Sequence, residues 1–466
     1  MLKNFFFFCC IVAFFLGGLG AYPLLNNNEG LYAQIAWEML ETGDYIIPHL
    51  NGVPYIEKPP LLYWMIACSF KLFGKSAFSA RLIPALLGML TSLSVYLFAR
   101  SLHQEKWGKY SAFILTTCGG FIVFSRMVFF DVALTFFLTS AALTFYKFYK
   151  TEQKKYLYLF SAFMAAAVLT KGLVALVLMG ILILSFLSME RNLLFLKYFF
   201  HPFAMGIFLI LTVPWHVLAC LKEDRFSWFY FVNEHWMRFL DKRIPRDYYT
   251  GPFYYYIPRI LGYLMPWTVL APIFFRKQLV LTSSLKKFLG CWFFSFLFFF
   301  SLSRAKANYY MVVGLPPLAL WAGGYLSAYS KRVLLSVLAA VFSGVLMIVG
   351  ALYMQQKEDL FSVEKSLSVV HAHQPIYFYK RFEELSSLPF YVGRPIPIIE
   401  TESRDLWYGQ QTHTREDLFL SVGDSKEGGA KAIYVLNKDK EDFTKKYGDK
   451  KPKIIYTSSY YCVFVI

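Results

Sequence analysis

Three polar clusters interrupt an otherwise apolar chain, and each holds residue types suited to acid–base or phosphate chemistry. The first is Asn26-Asn27-Asn28-Glu29-Gly30-Leu31-Tyr32-Ala33. From Glu29 onward Tyr32, Ile35, Ala36, Met39 and Leu40 recur at helical spacing, predicting a short amphipathic helix with Asn28 and Glu29 in its first turn. Asn28 suits an N-cap there. Glu29 either complements the helix dipole or handles a proton. In the second cluster Gly43-Asp44-Tyr45 leads through the Asn51-Gly52 turn signal to Glu57-Lys58-Pro59-Pro60. The two prolines fix the backbone just after the acid–base pair. One ammonium on a rigid loop suits a lipid phosphate head group; an interfacial ion pair is the plainer alternative.

The third cluster holds Glu234-His235 and Arg238, then Lys242-Arg243-Ile244-Pro245-Arg246-Asp247 and an aromatic belt from Tyr248 to Tyr256. Basic residues beside such a belt either clamp a phosphate or attract anionic lipids generally. Single charges complete the set: Arg126 and Asp131 flank the start of one apolar run, and Lys171, Arg304 and Lys306 lie at the ends of others. An outward ring of cations with a few acids suits transfer from a negatively charged lipid donor.

The elements that must position these groups are membrane spans. Of 466 residues, 57% are hydrophobic and 17% charged, against about 25% charged in soluble domains. Apolar runs of roughly spanning length predict crossings near 4–21, 80–99, 109–126, 130–148, 156–170, 172–189, 199–220, 256–275, 288–303, 308–328 and 333–354. The fold class expected is therefore a polytopic α-helical membrane protein of about 11 crossings, up to 13, with large outer loops and a small C-terminal α/β soluble domain. Threading the chain alternately puts Arg100, Lys106, Lys109, Lys147, Lys150, Lys154, Lys155, Arg191, Lys197, Arg276, Lys277, Lys286, Lys287, Lys331 and Arg332 on one side, in short loops nearly free of acids. That side is cytoplasmic by the positive-inside rule. The opposite side receives loops of about 22–79 and 221–255 and the C-terminal domain. Arg126, Lys171, Arg304 and Lys306 break the rule. Phe5 to Leu19 reads as a retained first helix rather than a cleaved signal, because the sidedness downstream needs it.

Residues 1–354 thus form the membrane domain and 355–466 a soluble one. In the latter, strand-like runs at Pro375–Tyr379, Ala432–Leu436, Ile454–Tyr456 and Tyr461–Ile466 alternate with polar helical stretches. His371 and His373 form an H-x-H pair without nearby ligands and read as an exposed turn. The net charge of +17 sits mostly in topology-setting loops, which excludes a nucleic-acid partner. Cys68, Cys118, Cys220 and Cys291 lie in apolar stretches and Cys462 stands alone in the C-terminal domain, so no disulfide framework is expected.

The stretch NNNEGLYAQIAWEMLETGDYIIPHLNGVPYIEKPPLLYW, then SRMVFFDVALT, LTKG, NEHWMRFL, YLMPW and SLSRAKANYY, resembles the bacterial aminoarabinose transferases and related protein mannosyltransferases. The EKPP block with its preceding GDY is the specific part. The resemblance implies a C-type glycosyltransferase, multi-pass in the bacterial inner membrane with its working face periplasmic. Such an enzyme moves a sugar from undecaprenyl phosphate to an outward acceptor such as lipid A, another glycolipid or glycan, or protein. It implies catalytic roles for Glu29 and Asp131, and a phosphate contact for Lys58. Arg243, Arg246 and Lys306 would assist that contact. Asn28, Tyr32, Arg126, Lys171, Arg238 and Arg304 would support the site. No cofactor is certain; Glu57 and His235 occupy positions that could share a divalent metal. The sequence departs from the family at Asn28, where an acidic pair usually begins, and at Leu31, usually Arg. Asn cannot accept a proton from an acceptor, so Glu29 or Asp131 serves as base, or the acceptor differs, or activity is lost.

The expected reaction is a single inverting displacement at the anomeric carbon, with Asp131 or Glu29 as base and cations stabilising the leaving phosphate. A transporter would show internal repeats and charges at mid-span; here the charges crowd the span ends. A non-catalytic relative that binds the lipid-phosphate sugar is the closer rival.

Overall fold

The computed structural model describes residues 9, 11–246, 250–274, 281–370, 374–413, 415–422 and 430–466. The H-x-H pair at 371–373 and residues 247–249 of the aromatic belt lie outside these. Among the described residues six helices are long and apolar enough to cross a membrane: Ala77–Ser101, Phe130–Thr151, Pro202–Lys222, Ser283–Leu302, Asn308–Ala328 and Arg332–Gln356. Leu61–Phe73 and Val174–Met189 are shorter apolar helices. The outward faces of these helices identify their solvent. Leu209, Ile210, Val213, Val217 and Leu221 are exposed along Pro202–Lys222, and Val333, Val337, Val341, Ile348 and Leu352 along Arg332–Gln356. Apolar stripes of that length are stable against lipid, not water. This is a membrane protein.

The chain forms two compact units. The first comprises residues 1–19, 57–62 and 81–349 and holds most of the apolar helices. Phe130–Thr151 and Lys154–Lys171 form an antiparallel hairpin turning at Glu152. Their cores are aromatic: Tyr146 meets Phe288 at 4.8 Å, and Phe145 lies 6.0 Å from Phe186. Glu105–Thr117 packs on Leu315–Ala328 through Gly323, where a Cβ would stand 2.8 Å from the Ser111 Cα. Small residues at such crossings let two backbones approach.

Two apolar runs are broken rather than continuous. Residues 105–125 divide at Cys118, whose ψ of 118° is extended, into Glu105–Thr117 and Gly119–Ser125. Residues 256–274 divide before Pro266, which has no N–H to continue a helix, into Tyr256–Tyr263 and Trp267–Phe274. The broken ends serve each other. Gly119 N–H donates to the Met265 carbonyl at 2.8 Å, and Trp267 Nε1–H to Thr117 Oγ1 at 2.9 Å. Backbone freed inside an apolar layer must find such partners.

The second unit comprises residues 20–56, 63–80 and 350–466. The helix expected after residue 28 spans Asn28–Thr42. It is followed by β1 (His49–Leu50) and β2 (Val53–Pro54), an antiparallel hairpin turning on Asn51 and Gly52. Both turn residues have positive φ, 51° and 79°, as a type I′ turn requires. Buried Glu38 fixes that turn, accepting from Asn51 N–H at 2.8 Å and Gly52 N–H at 2.9 Å. The Asn51 side chain in turn pairs with both backbone groups of Ile396.

The C-terminal part builds a six-stranded sheet from β3 (Ile376–Tyr379), β4 (Ile398–Ile399), β5 (Phe419–Leu420), β6 (Ala432–Leu436), β7 (Lys453–Thr457) and β8 (Tyr461–Val465). Its order is β5-β4-β3-β6-β8-β7; the first four strands are parallel and the last two antiparallel. Helix Lys440–Tyr447 covers it through Phe443 and Tyr447, which pack with Ile433, Val435 and Phe464. The four strand-like runs read from sequence coincide with β3, β6, β7 and β8. The remaining two strands are two residues long, too short to show alternation, and Pro395 and Pro397 precede β4.

Candidate active site

In the first unit one carboxylate gathers three cations. Glu234 lies on the π-helical segment Trp228–Met237 and is almost completely buried. Its Oε1 pairs with Arg243 Nε, and its Oε2 accepts from Arg238 Nη1 at 2.7 Å. Asn233 makes the return possible: its side chain accepts from Ile244 N–H at 2.9 Å and donates to the Ile244 carbonyl at 2.7 Å. That clamp brings Arg243 back over the segment, where its second nitrogen pairs with Glu57 Oε1. Lys58 completes the group. Its Nζ stands 3.8 Å from Glu57 Oε2 and 3.9 Å from Glu234 Oε2, too far for hydrogen bonds.

The arginines thus hold the carboxylates, while the Lys58 ammonium donates to the Glu57 backbone carbonyl at 3.3 Å. Three cations (Lys58, Arg238, Arg243) face two carboxylates (Glu57, Glu234), a formal surplus of one positive charge. Burial lowers the proton affinity of Lys58 and so do the two guanidiniums, while Glu234 and Glu57 oppose them; the net result is pushed down to about 8. For Glu234 burial favours the neutral acid, but Arg243, Arg238 and Lys58 outweigh it and hold the carboxyl below its ordinary range.

A second pair lies in the same unit. Lys171, ending helix Lys154–Lys171, donates to Asp131 Oδ1 at 2.6 Å from the first turn of Phe130–Thr151. The ammonium also sits 4.3 Å from the Tyr310 ring centre, within cation–π range. Gly172 follows with φ 76° and ψ −151°, a conformation essentially confined to glycine. A Cβ there would overlap the His235 imidazole. That ring is held by the backbone on both sides: Nδ1 donates to the Tyr230 carbonyl at 2.6 Å, and Nε2 accepts from Leu173 N–H at 3.0 Å. Replacing Gly172 with Ala should destabilise the protein by about 1–3 kcal/mol through overpacking and backbone strain, read as a lower thermal midpoint. An unchanged midpoint would mean the ring moves aside freely.

Those bonds bear on a metal. Glu57 faces Arg243 and Lys58, and both His235 nitrogens are engaged by backbone groups, so the two residues do not fit as co-ligands. Burial, more than the neighbouring cations, pushes the imidazole down to about 4, so it is neutral. Among the described residues no group of three or more His, Cys, Asp or Glu could hold a metal ion.

Other residues expected at the site have contacts of their own. Arg126 donates to the carbonyls of Phe14, Phe15 and Gly17, closing the end of the first helical segment. Lys306 gives its three donors to the carbonyls of Phe300, Ser301 and Ser303 at 3.1, 2.8 and 2.6 Å, capping Ser283–Leu302. Arg246 is exposed and paired with Asp241 at 3.0 Å, and Arg304 is exposed. Asn28, Glu29 and Tyr32 belong to the second unit. The N-cap there is Asn27, not Asn28, and it makes no side-chain capping bond. Instead Glu29 Oε2 accepts from Leu25 N–H at 3.1 Å, which satisfies a backbone donor beside the first turn. Tyr32 is buried 6.1 Å from the Tyr63 ring. The hub role of Glu234 had one sequence signal, the i,i+4 spacing to Arg238.

The profile of the dolichyl-phosphate-mannose-protein mannosyltransferase family matches residues 57–218, which include Lys58, Asp131 and Lys171. The undecaprenyl phosphate-alpha-4-amino-4-deoxy-L-arabinose arabinosyl transferase of Aeromonas hydrophila is 31% identical over 66% of this chain and 57% of its own length. One from Pseudomonas fluorescens is 28% identical over 74% of this chain and 64% of its own. The chain is aminoarabinose-transferase-like. It spans somewhat under two thirds of the length of those relatives. The crystal structure of ArnT from Cupriavidus metallidurans bound to undecaprenyl phosphate superposes with a TM-score of 0.85, at 19% identity, over 99% of this chain and 98% of that one. The chain therefore shares the fold of that structure.

Proposed function

We propose that this chain is a glycosyltransferase that moves a sugar from a polyprenyl-phosphate carrier to an acceptor on the outer face of a bacterial inner membrane. Lipid A, another glycolipid or glycan, and protein are the acceptor classes. The large loops and the C-terminal domain face the periplasm, reached through about 11 crossings. The observation that carries the reading is the single surplus positive charge around Lys58, with its ammonium held back from both carboxylates. A sugar phosphodiester carries one negative charge and fits that surplus. When the C1–O bond to phosphate breaks, the departing lipid phosphate gains a second charge, which Lys58 and the flanking arginines stabilise more strongly than the ground state. The acceptor hydroxyl attacks C1 from the opposite side with inversion, and its proton passes to a carboxylate.

Asp131 is the better base. Glu29 accepts a backbone hydrogen bond beside its own helix turn, whereas Asp131 faces the Lys171 ammonium at 2.6 Å. Lys306 and Arg246 are otherwise engaged, which leaves Arg238 and Arg243 beside Lys58. Purified protein should release labelled sugar from a polyprenyl-phosphate-sugar extract onto an acceptor; labelled lipid bound but never consumed would favour a non-catalytic relative, the alternative suggested by Asn28.

A pH profile supplies a sharper check. Lys58 is pushed down to about 8, so its charge is lost as pH rises through that value. The ratio kcat/KM, which reports the free enzyme, should fall along an alkaline limb near 8. Lys58→Arg should transfer at a lower plateau without that limb, since guanidinium stays protonated there. A limb unchanged in Lys58→Arg assigns it to another group.

A further inference from the structure

Lys171 ends one helix and the next begins at Val174, so the chain turns sharply just where the ammonium must be aimed. At such a junction backbone donors lose their helical acceptors. Gly172 N–H returns to the Val168 carbonyl of its own helix at 2.7 Å. Leu173 N–H, at the start of Val174–Met189, finds its acceptor outside both helices, in His235 Nε2 at 3.0 Å. The ring lies directly on the turn, because the Cβ that Gly172 lacks would stand 2.1 Å from that same nitrogen. Only a residue without a side chain allows this approach.

The second ring nitrogen decides the tautomer. Nδ1 lies 2.6 Å from the Tyr230 carbonyl, an acceptor, so Nδ1 carries the proton and Nε2 the lone pair. An imidazolium would have no lone pair to offer, and burial keeps this ring neutral. Tyr230 and His235 share the π-helical segment Trp228–Met237, a kind of winding found often at functional sites. Neighbouring positions on it serve the two charge groups. Glu234 holds Arg238 and Arg243 beside Lys58, and His235 holds the turn that follows Lys171. The Lys171 ammonium is set between Asp131 Oδ1 at 2.6 Å and the Tyr310 ring at 4.3 Å.

We infer that His235 is a positioning residue for the transfer: its imidazole pins the backbone after Lys171 and so registers the Asp131–Lys171 pair against the Lys58 cluster. It acts through the turn, not on a reacting atom. A group displaced by about 1 Å loses about 10²-fold in rate, and an unpinned turn frees Lys171 to draw Asp131 out of line. The cations around Lys58 depend on Glu234 instead, so the loss falls on turnover and spares binding of the lipid phosphate. The kinetic consequence rests on the transfer reading above; the pinning of the turn does not.

Two variants of the full-length protein in detergent separate the ring nitrogens. His235→Gln places an amide oxygen near the Nε2 position and keeps an acceptor for Leu173 N–H; His235→Asn is one bond too short to reach it. With a polyprenyl-phosphate-sugar extract, kcat should fall about 10²-fold in His235→Asn and stay within about tenfold of wild type in His235→Gln. Binding of polyprenyl phosphate should be unchanged in both. Acetic anhydride labelling of Lys171, read by mass spectrometry, should quicken in His235→Asn and not in His235→Gln. Labelling of His235→Asn at the wild-type rate overturns the pinning. A wild-type kcat in His235→Asn, or equal loss in both variants, overturns the positioning role. If wild type transfers no sugar, the transfer reading is what fails, and the labelling contrast still decides the pinning.

Discussion

Lys58→Ala should abolish sugar transfer and leave the fold standing. The ammonium makes no hydrogen bond to either neighbouring carboxylate, since Glu57 and Glu234 are held by Arg243 and Arg238. Removing it therefore strands no buried charge. What is lost is the surplus: three cations against two carboxylates becomes two against two. A preorganised charge aimed at a growing negative charge is worth about 10²–10³ in kcat, so turnover should fall by at least that factor while the thermal midpoint barely moves. Arg243→Ala makes the contrast. It leaves Glu57 and Glu234 buried without their bridging partner, a loss of about 3–5 kcal/mol, and the variant should unfold rather than merely slow. Turnover at the wild-type rate by Lys58→Ala would refute the phosphate role. Parallel loss of stability would recast Lys58 as a structural cation.

The elements that hold Lys58 were legible wherever periodicity carried the information. Every apolar run read as a crossing overlaps helix in the described residues, as does the amphipathic helix after residue 28. Breaks at Cys118 and Pro266 were harder, because hydropathy is blind to a kink whose freed groups are satisfied by another kink far along the chain. The helix Leu61–Phe73 was hidden in what read as one long outer loop, since thirteen residues fall short of a span.

Charge was legible as location and illegible as pairing. Lys58, Asp131 and Lys171 stood out by where they lay. Arg126 and Lys306 stand out for the same reason, and the folded chain adds what the sequence does not show: both close the carbonyl ends of helices, a use of cations that helix-end chemistry allows. The hub at Glu234 needed tertiary knowledge. Nothing in the local sequence shows that Asn233 clamps Ile244 and so returns Arg243 to its own segment. Likewise Glu38 read as one of several outer acids, and only the folded turn reveals its two backbone donors.

Among the carboxylates, the largest loss is expected at Asp131. Without a base the displacement should slow by about 10²–10⁴ in Asp131→Asn, whereas Glu29→Gln keeps an acceptor for Leu25 N–H and should cost less than about tenfold. Stability complicates the first variant, because Lys171 loses the carboxylate it pairs with at 2.6 Å. An orphaned buried cation costs about 3–5 kcal/mol. Asp131→Asn/Lys171→Met removes that cation as well, so its midpoint should recover towards wild type. Transfer should not recover, and donor binding through Lys58 should survive in both. Recovered transfer in the double variant would reduce the pair to a structural tie. Loss in Glu29→Gln with activity kept at Asp131→Asn/Lys171→Met would move the base to the helix Asn28–Thr42. Chemistry and packing are thereby separated at one ion pair, because the double variant restores the second without restoring the first.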